Sequence, residues 1–387
     1  LSLAADVGRG KQELGTGDVE RAAFRASWSG ENIGVIAYYS ENSREQLTDN
    51  REYDFGLTDG GSKIPNEVDF RNYKIKRSDE AYGGTIEYRG DGALSRLFVS
   101  TLYSEFTDEE ERNQYVISFL APQSGLTAQG APASINRLLE DGIYENSTST
   151  TTLGAEFSLA GFDIKASYNY TETAFLQDLP IIYQAAGFAA LIEGSPIPFF
   201  ADYDFSNETD PKVFLSSPLA PGSAADPADA VFLANLALGI YNPLDQEIDK
   251  FKIDASRAMS PDLTLMFGLQ LDQREALGGS LTQAIGPFPT DVININDYDT
   301  GERWDSNTSN TIGGTYFNNP ALDAAWQASG VYPAKEVPAE NRIFINEDIL
   351  AFYGMATQTY DWGSVVVGLR VEQTDVENVG LNGYRLE

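Results

Sequence analysis

Along residues 363 to 377, GSVVVGLRVEQTDVE, Val365, Val367, Leu369 and Val371 alternate with Ser364, Gly368, Arg370 and Glu372. A period of two gives a strand one apolar and one polar face. The alternation recurs in pairs. At 152 to 159 Leu153, Ala155, Phe157 and Leu159 alternate with Thr152, Gly154, Glu156 and Ser158, Ala160-Gly161 reverses the chain, and Phe162, Ile164, Ala166, Tyr168 and Tyr170 continue the alternation. That is a hairpin with a tight turn. A second runs from 250 to 272, with Phe251, Ile253 and Ala255, a turn at SPD (260 to 262), then Leu263, Leu265, Phe267, Leu269 and Leu271. Further pairs are 18 to 28 with 32 to 42, 73 to 89 with 94 to 107, and 347 to 360 with 364 to 376.

With a short opening strand at 1 to 8, the pattern predicts about eleven strands. A tilted strand of about 10 residues, rising about 3.3 Å per residue, spans a hydrocarbon layer. Turns within pairs are short, whereas the links between pairs, 43 to 72, 108 to 147, 176 to 246 and 277 to 346, are long. Compact soluble domains rarely carry several such loops, while outer-membrane barrels have short turns on one rim and long loops on the other. Three loop segments, 131 to 145, 226 to 244 and 320 to 333, begin near Pro and carry helix-compatible apolar spacing, so short helices are expected there. Trp28, Tyr88, Phe162 and Trp362 fall near short turns and Tyr168 and Tyr170 at the far end of their strand, as two aromatic girdles would place them. The expected fold is all-β: a transmembrane antiparallel barrel with long extracellular loops.

Composition narrows the function. Asp plus Glu total 58 against 26 for Lys plus Arg, a formal charge of −32 with no basic run, which disfavours a nucleic-acid partner. The chain has no Cys and no His, removing disulfides, thiol nucleophiles, imidazole bases and the commonest transition-metal ligands. No enzyme, cofactor or metal is expected. No run of about 18 apolar residues marks a transmembrane helix, and no signal peptide precedes the first strand pattern. The chain is expected to be a fragment cut at both ends.

Residues 81 to 115, AYGGTIEYRGDGALSRLFVSTLYSEFTDEEERNQY, and 345 to 377, INEDILAFYGMATQTYDWGSVVVGLRVEQTDVE, resemble barrel hairpins of TonB-dependent outer-membrane receptors, the second with Gly368, Arg370 and Glu372 in a Gly-x-Arg-x-Glu strand. The resemblance covers nearly the whole chain, residues 1 to 387. It implies a monomeric barrel of about 22 strands, of which this chain carries about half. Signal peptide, TonB box, plug domain and last strands would lie elsewhere. It also implies outer-membrane lipid and TonB as partners and energised import of a bulky small-molecule or oligosaccharide ligand.

For such a ligand the loop candidates are Phe199, Phe200, Asp202, Tyr203 and Phe205, with Trp304 and Trp326, since aromatic faces beside carboxylates suit sugar rings. The competing reading makes these aromatics the small cores of their loops. Asp297, Asp299, Glu302 and Asp305 lie close together but lack the spacing of a calcium loop, and the run at 108 to 111 reads as rim charge. On the polar strand faces stand Glu87, Arg89, Glu156, Lys165, Lys252, Asp254, Arg370 and Glu372, a lumen-facing set suited to docking a plug. A ferric-siderophore receptor of the same family, a passive porin, and a β-rich surface glycan-binding or adhesion protein stand as alternatives.

Overall fold

Strand pairing follows the alternation and extends well past it. A computed structural model describes residues 1–12, 17–57, 63–120, 125–183, 191–192, 195–196, 199–207, 212–216, 224–227, 236–285, 295–304, 312–330, 332 and 335–380. The strands are β1 (Ser2–Lys11), β2 (Asp18–Ser29), β3 (Ile33–Leu57), β4 (Lys63–Arg89), β5 (Leu94–Phe119), β6 (Thr127–Leu159), β7 (Phe162–Tyr183), β8 (Leu191–Ile192), β9 (Ser195–Pro196), β10 (Phe199–Asp204), β11 (Lys212–Ser216), β12 (Leu236–Ser260), β13 (Leu263–Gly279), β14 (Leu281–Ile285), β15 (Asp299–Arg303), β16 (Thr315–Phe317), β17 (Arg342–Tyr360) and β18 (Gly363–Val379). One α-helix, α1 (Asn319–Ala328), is described.

The all-β expectation holds, and the expected strand count matches the backbone of one antiparallel sheet. Its order is β1-β2-β3-β4-β5-β6-β7-β12-β13-β17-β18, and among the described residues the outer edges of β1 and β18 are unpaired, so the sheet is open. Turns form where Gly and Asx residues permit them. Ala160 and Gly161 both have positive φ (53° and 79°), the geometry of a two-residue hairpin turn. At the 260 to 262 turn Ser260 Oγ accepts from the amides of Asp262 (3.3 Å) and Leu263 (3.1 Å).

Two expected loops are strands instead. Residues 43–57 and 63–72 belong to β3 and β4, paired throughout apart from a register shift between Asp54 and Phe55, and 108–119 and 127–147 belong to β5 and β6, where 108–119 pairs with 133–144 without a shift. Here the strands are held by cross-strand charge, Lys76 with Glu109 at 3.2 Å and Arg77 with Asp108 at 2.8 Å, and farther along by the buried apolar face of Val68, Phe70, Tyr115, Ile117 and Ile135. The helix expected at 131 to 145 is likewise part of β6, because Ala131, Ala133, Ile135 and Leu139 also fit a period of two and bury that face. Residues 236–244 of the expected helix at 226 to 244 form the start of β12, and 228 to 235 lie outside the described residues. The third helix is found as α1: the Asn318 side chain caps Ala321 N at 3.0 Å, Pro320 sits in the first turn, and Leu322 and Trp326 are buried.

Register rows locate the two faces. Ile33, Tyr88, Leu97, Ala155, Ala166, Ile253, Leu269, Phe352 and Val371 are successive cross-strand partners from β3 to β18, and every one is apolar or aromatic. This face is uncovered: Ile86 is 55% exposed, Phe352 54% and Leu369 74%. The band cuts the rows obliquely. Four positions along β3, the row Leu3, Ala26, Ala37, Gly84, Thr101, Thr151, Tyr170, Asp249, Gln273, Asp348, Asp375 begins apolar at β1 and ends ionic at β18.

Beyond the band, at the end away from the short turns, the same face of β4 to β6 is covered by the chain's own segments. Val68, Phe70, Tyr115, Ile117 and Ile135 pack with Phe199, Tyr203, Val213, Trp304 and Tyr316 in one core. Leu139, Ile182 and Ala237 pack with Ile295, Phe317, Leu322 and Trp326 in another. Arg137, 1% exposed, lies between the rings of Tyr115 (4.0 Å) and Phe317 (3.7 Å) and donates to Thr315 O at 2.6 Å, fastening this cap to the sheet.

Candidate functional site

The eight polar-face residues singled out by alternation fall on two adjacent register rows. Arg89, Arg96, Glu156, Lys165, Asp254, Gly268, Tyr353 and Arg370 are successive partners from β4 to β18. Glu87, Phe98, Gly154, Ser167, Lys252, Gln270, Ala351 and Glu372 form the next row. Period-two geometry puts both rows on the face opposite the apolar band.

Within the strip, unlike charges pair, and Glu87 bridges the directly opposed Arg89 and Arg96. Glu87 accepts from Arg89 and from Arg96 Nε at 2.7 Å, Arg96 Nη1 reaches Glu156 Oε1 at 3.1 Å, and Lys165 Nζ lies 3.5 Å from Glu156. Lys252 pairs with Asp254 at 2.9 Å, Tyr353 donates to Asp254 at 2.5 Å, and Arg370 pairs with Glu372 at 2.6 Å. Farther along the strands the face is lined by hydroxyls and amides, with Thr85 to Ser100 at 2.9 Å and Asn169 to Thr152 at 2.8 Å. These pairs are solvent-accessible, so each adds little stability and remains available to exchange partners. The strip presents hydrogen-bonding groups and paired charges to whatever lies against this face.

Arg96 and Tyr353 were not singled out in the sequence, although both stand on the polar face of a strand that was. Gly154 and Gly268 make room for large rings. A Cβ on Gly154 would run into Phe98, and one on Gly268 into Tyr353. The signal for this was a glycine interrupting an otherwise regular strand pattern.

The loop candidates are not brought together on an open platform. Phe199, Tyr203, Phe205 and Trp304 are buried in the first core, and Trp326 is fully buried in the second. Tyr203 and Phe205 stack edge-on at 5.2 Å and Trp326 meets Tyr332 at 4.6 Å. Phe200 is half-buried, and the exposed Asp202 accepts from the Gly130 amide at 2.7 Å. Of the acidic stretch, Asp299 accepts from Gly301 N (2.8 Å) and Thr315 Oγ1 (2.6 Å), Glu302 lies 3.7 Å from Lys74, and Asp305 is outside the described residues.

Between the cap and the sheet, beyond the apolar band, is a cleft lined by Glu45, Lys74, Lys76, Glu109, Glu111, Asp141, Glu302 and Tyr316. Lys74 Nζ sits over the Tyr316 ring at 4.4 Å. Burial and the nearby Asp323, Glu111 and Glu109 carboxylates push Asp141 up to about 6, and burial raises Glu111 despite Lys74. Among the described residues no group of acidic side chains is arranged to hold a metal ion. Compared with protein-family models, curated proteins and solved structures, the chain finds no match.

Proposed function

We propose that the chain is barrel wall of a TonB-dependent outer-membrane receptor that imports a bulky nutrient, an oligosaccharide being the favoured class. The oblique apolar band carries this reading. A soluble sheet covers its apolar face with a second layer, and exposed apolar patches on soluble proteins are small. Among the described residues, the chain covers that face only at the cap end. A lipid layer crossing tilted strands would cut register rows at an angle, as the band does. The run from Phe162 to Tyr170 on β7 is about 30 Å long at about 3.3 Å per residue, enough for a tilted crossing.

In this reading the sheet closes with further strands, the polar strip faces the lumen, and Glu87, Arg89, Glu156, Lys165, Lys252, Asp254, Arg370 and Glu372 dock a plug pulled by TonB. The paired but accessible charges support it, since a surface that must release its partner is served by exchangeable contacts. Fractionation of cells making the full-length protein tests the location: recovery in the outer-membrane fraction, resistant to alkaline carbonate, is expected, and recovery only in the soluble fraction would sink the reading. Uptake of labelled oligosaccharide tests the cargo, with loss expected when the gene is deleted or the proton gradient is collapsed.

A further inference from the structure

The polar face carries an uncharged lane between two ionic zones. One zone is the strip of Glu87, Arg96, Glu156 and Lys165, and the other pairs Arg77 with Asp108 at 2.8 Å and Arg112 with Glu140 at 2.6 Å. Between them, every side chain turned to this face is uncharged over 98 to 106 on β5, 142 to 154 on β6 and 167 to 179 on β7. The acids of those stretches, Glu105, Glu145, Glu172 and Asp178, all fall on the opposite face by strand parity.

Two aromatic rings interrupt this hydroxyl and amide surface, Phe106 and Phe175, each 37% exposed. They share one register row, Asn42, Asp79, Phe106, Asn146 and Phe175, and stand two strand spacings apart, about 10 Å. The next row, Ser40, Ala81, Ser104 and Thr148, is made of small side chains. It floors a hollow of about 430 Å³ walled by Asn42, Phe106 and Asn146, within the size range of small-molecule pockets. Asn42 Nδ2 donates to Asp79 Oδ2 at 3.3 Å, holding that carboxylate at the rim. Ser104, Asn146 and Thr148 make no side-chain hydrogen bond among the described residues, so their polar groups are open to a ligand.

We infer that this hollow holds an uncharged sugar ring of the imported ligand, its C–H face on Phe106 and its hydroxyls bonded to Asn42, Asp79, Ser104 and Asn146. Phe175 takes a further ring of the same chain. The inference rests on the transport reading above and gives it a contact point in the lumen wall. Sugar rings have apolar C–H faces and a rim of hydroxyls, and the hollow offers an aromatic face with donors and acceptors around it. An anionic ligand would face Asp79 and give up hydration in the lane without a countercharge. A cationic one would find a single carboxylate, already bonded by Asn42.

The full-length protein in mild detergent is titrated with uncharged linear hexasaccharides of glucose, mannose and xylose, and with hexagalacturonate and hexaglucosamine as charged counterparts. Binding of at least one uncharged chain is expected, weakened about fivefold or more in Phe106→Ala and abolished in Ala81→Trp, which fills the hollow from its floor. Asn146→Asp, which keeps the volume and puts a charge in the lane, should weaken it too and serves where a bulkier change fails to fold. Phe352→Ala, on the opposite face, should keep the original affinity. No uncharged chain bound, a charged chain preferred, or affinity unchanged by the three hollow variants overturns the inference. Fractionation of the same cells separates the two readings. Outer-membrane protein that binds none leaves the receptor reading standing without this site, whereas soluble protein that binds overturns the receptor reading and leaves the hollow a saccharide site.

Discussion

Arg137 shows how much one side chain can hold. It is buried between two rings, and its guanidinium bonds Asn113 Oδ1 (3.2 Å), Thr315 O (2.6 Å) and the Tyr115 hydroxyl, so sheet and cap share one cation. Burial lowers its affinity for the proton to about 10. Arg137→Met keeps much of the volume but removes these bonds and both ring contacts. It should cost on the order of 3 kcal/mol, because buried acceptors lose their donor. Hydrogen exchange should then show early loss of protection in β16 and α1 while the β12–β13 hairpin is unchanged. Ala160, with φ 53°, is a smaller case. Ala160→Asn should stabilise the hairpin by about 0.5–1 kcal/mol, since Asn adopts the left-handed region more readily, and denaturant midpoints check it. At Gly268, Gly→Val would drive a side chain into the Tyr353 ring and displace its hydroxyl from Asp254. A destabilisation of about 2 kcal/mol is expected from overpacking, visible as a lower unfolding midpoint.

At the scale of elements, α1 is docked across an acidic seam. Asn319 Nδ2 donates to the carbonyls of Arg112 and Glu140, both at 2.8 Å, and brings Asp323 toward Asp141. Burial raises Asp323, and burial with the neighbouring carboxylates raises Asp141 from 3.8 to about 6. The docked state therefore binds protons more tightly than the free chain, and docking weakens as pH rises from about 4 through about 6 and strengthens on acidification. Protection of α1 from exchange should increase between pH 7 and pH 5, and Asp141→Asn should flatten that dependence. The sequence made some elements plain and hid others for physical reasons. Hairpins with apolar faces announced themselves at β6–β7, β12–β13 and β17–β18, and α1 was legible from Pro320 and the spacing of Leu322 and Trp326. The upper halves of β3 to β5 were not, because the charged stretches around Lys74, Lys76, Glu109 and Glu111 interrupt the apolar period before Val68 and Phe70 on β4, and Tyr115 and Ile117 on β5, take it up again. Ala131, Ala133, Ile135 and Leu139 satisfied helix and strand spacing alike until pairing with β5 decided it. The polar strip was legible because strand parity alone fixes a face; which loop aromatics would be buried was not, since that depends on segments meeting across more than a hundred residues, as Tyr115 and Trp304 do at 4.9 Å.

For the whole molecule, the two faces predict opposite chemistry at neighbouring positions. The chain has no native Cys, so single cysteines report cleanly. In vesicles holding the full-length protein, Val367→Cys should resist a membrane-impermeant maleimide, and Thr359→Cys, beside the short turn, should react. Equal fast labelling of both would argue against a lipid-covered band. The open sheet adds a rule of counting. Eleven strands joined only by antiparallel pairs leave β1 and β18 running in the same direction. Joining those two edges directly, or joining two copies about an axis along the strands, would create a parallel seam in an otherwise antiparallel wall. Inserting an odd number of strands removes the seam, and inserting an even number restores it. In the barrel reading, the parity of this sheet thus sets the parity of its completion: an odd set of strands, the first antiparallel to β18 and the last antiparallel to β1.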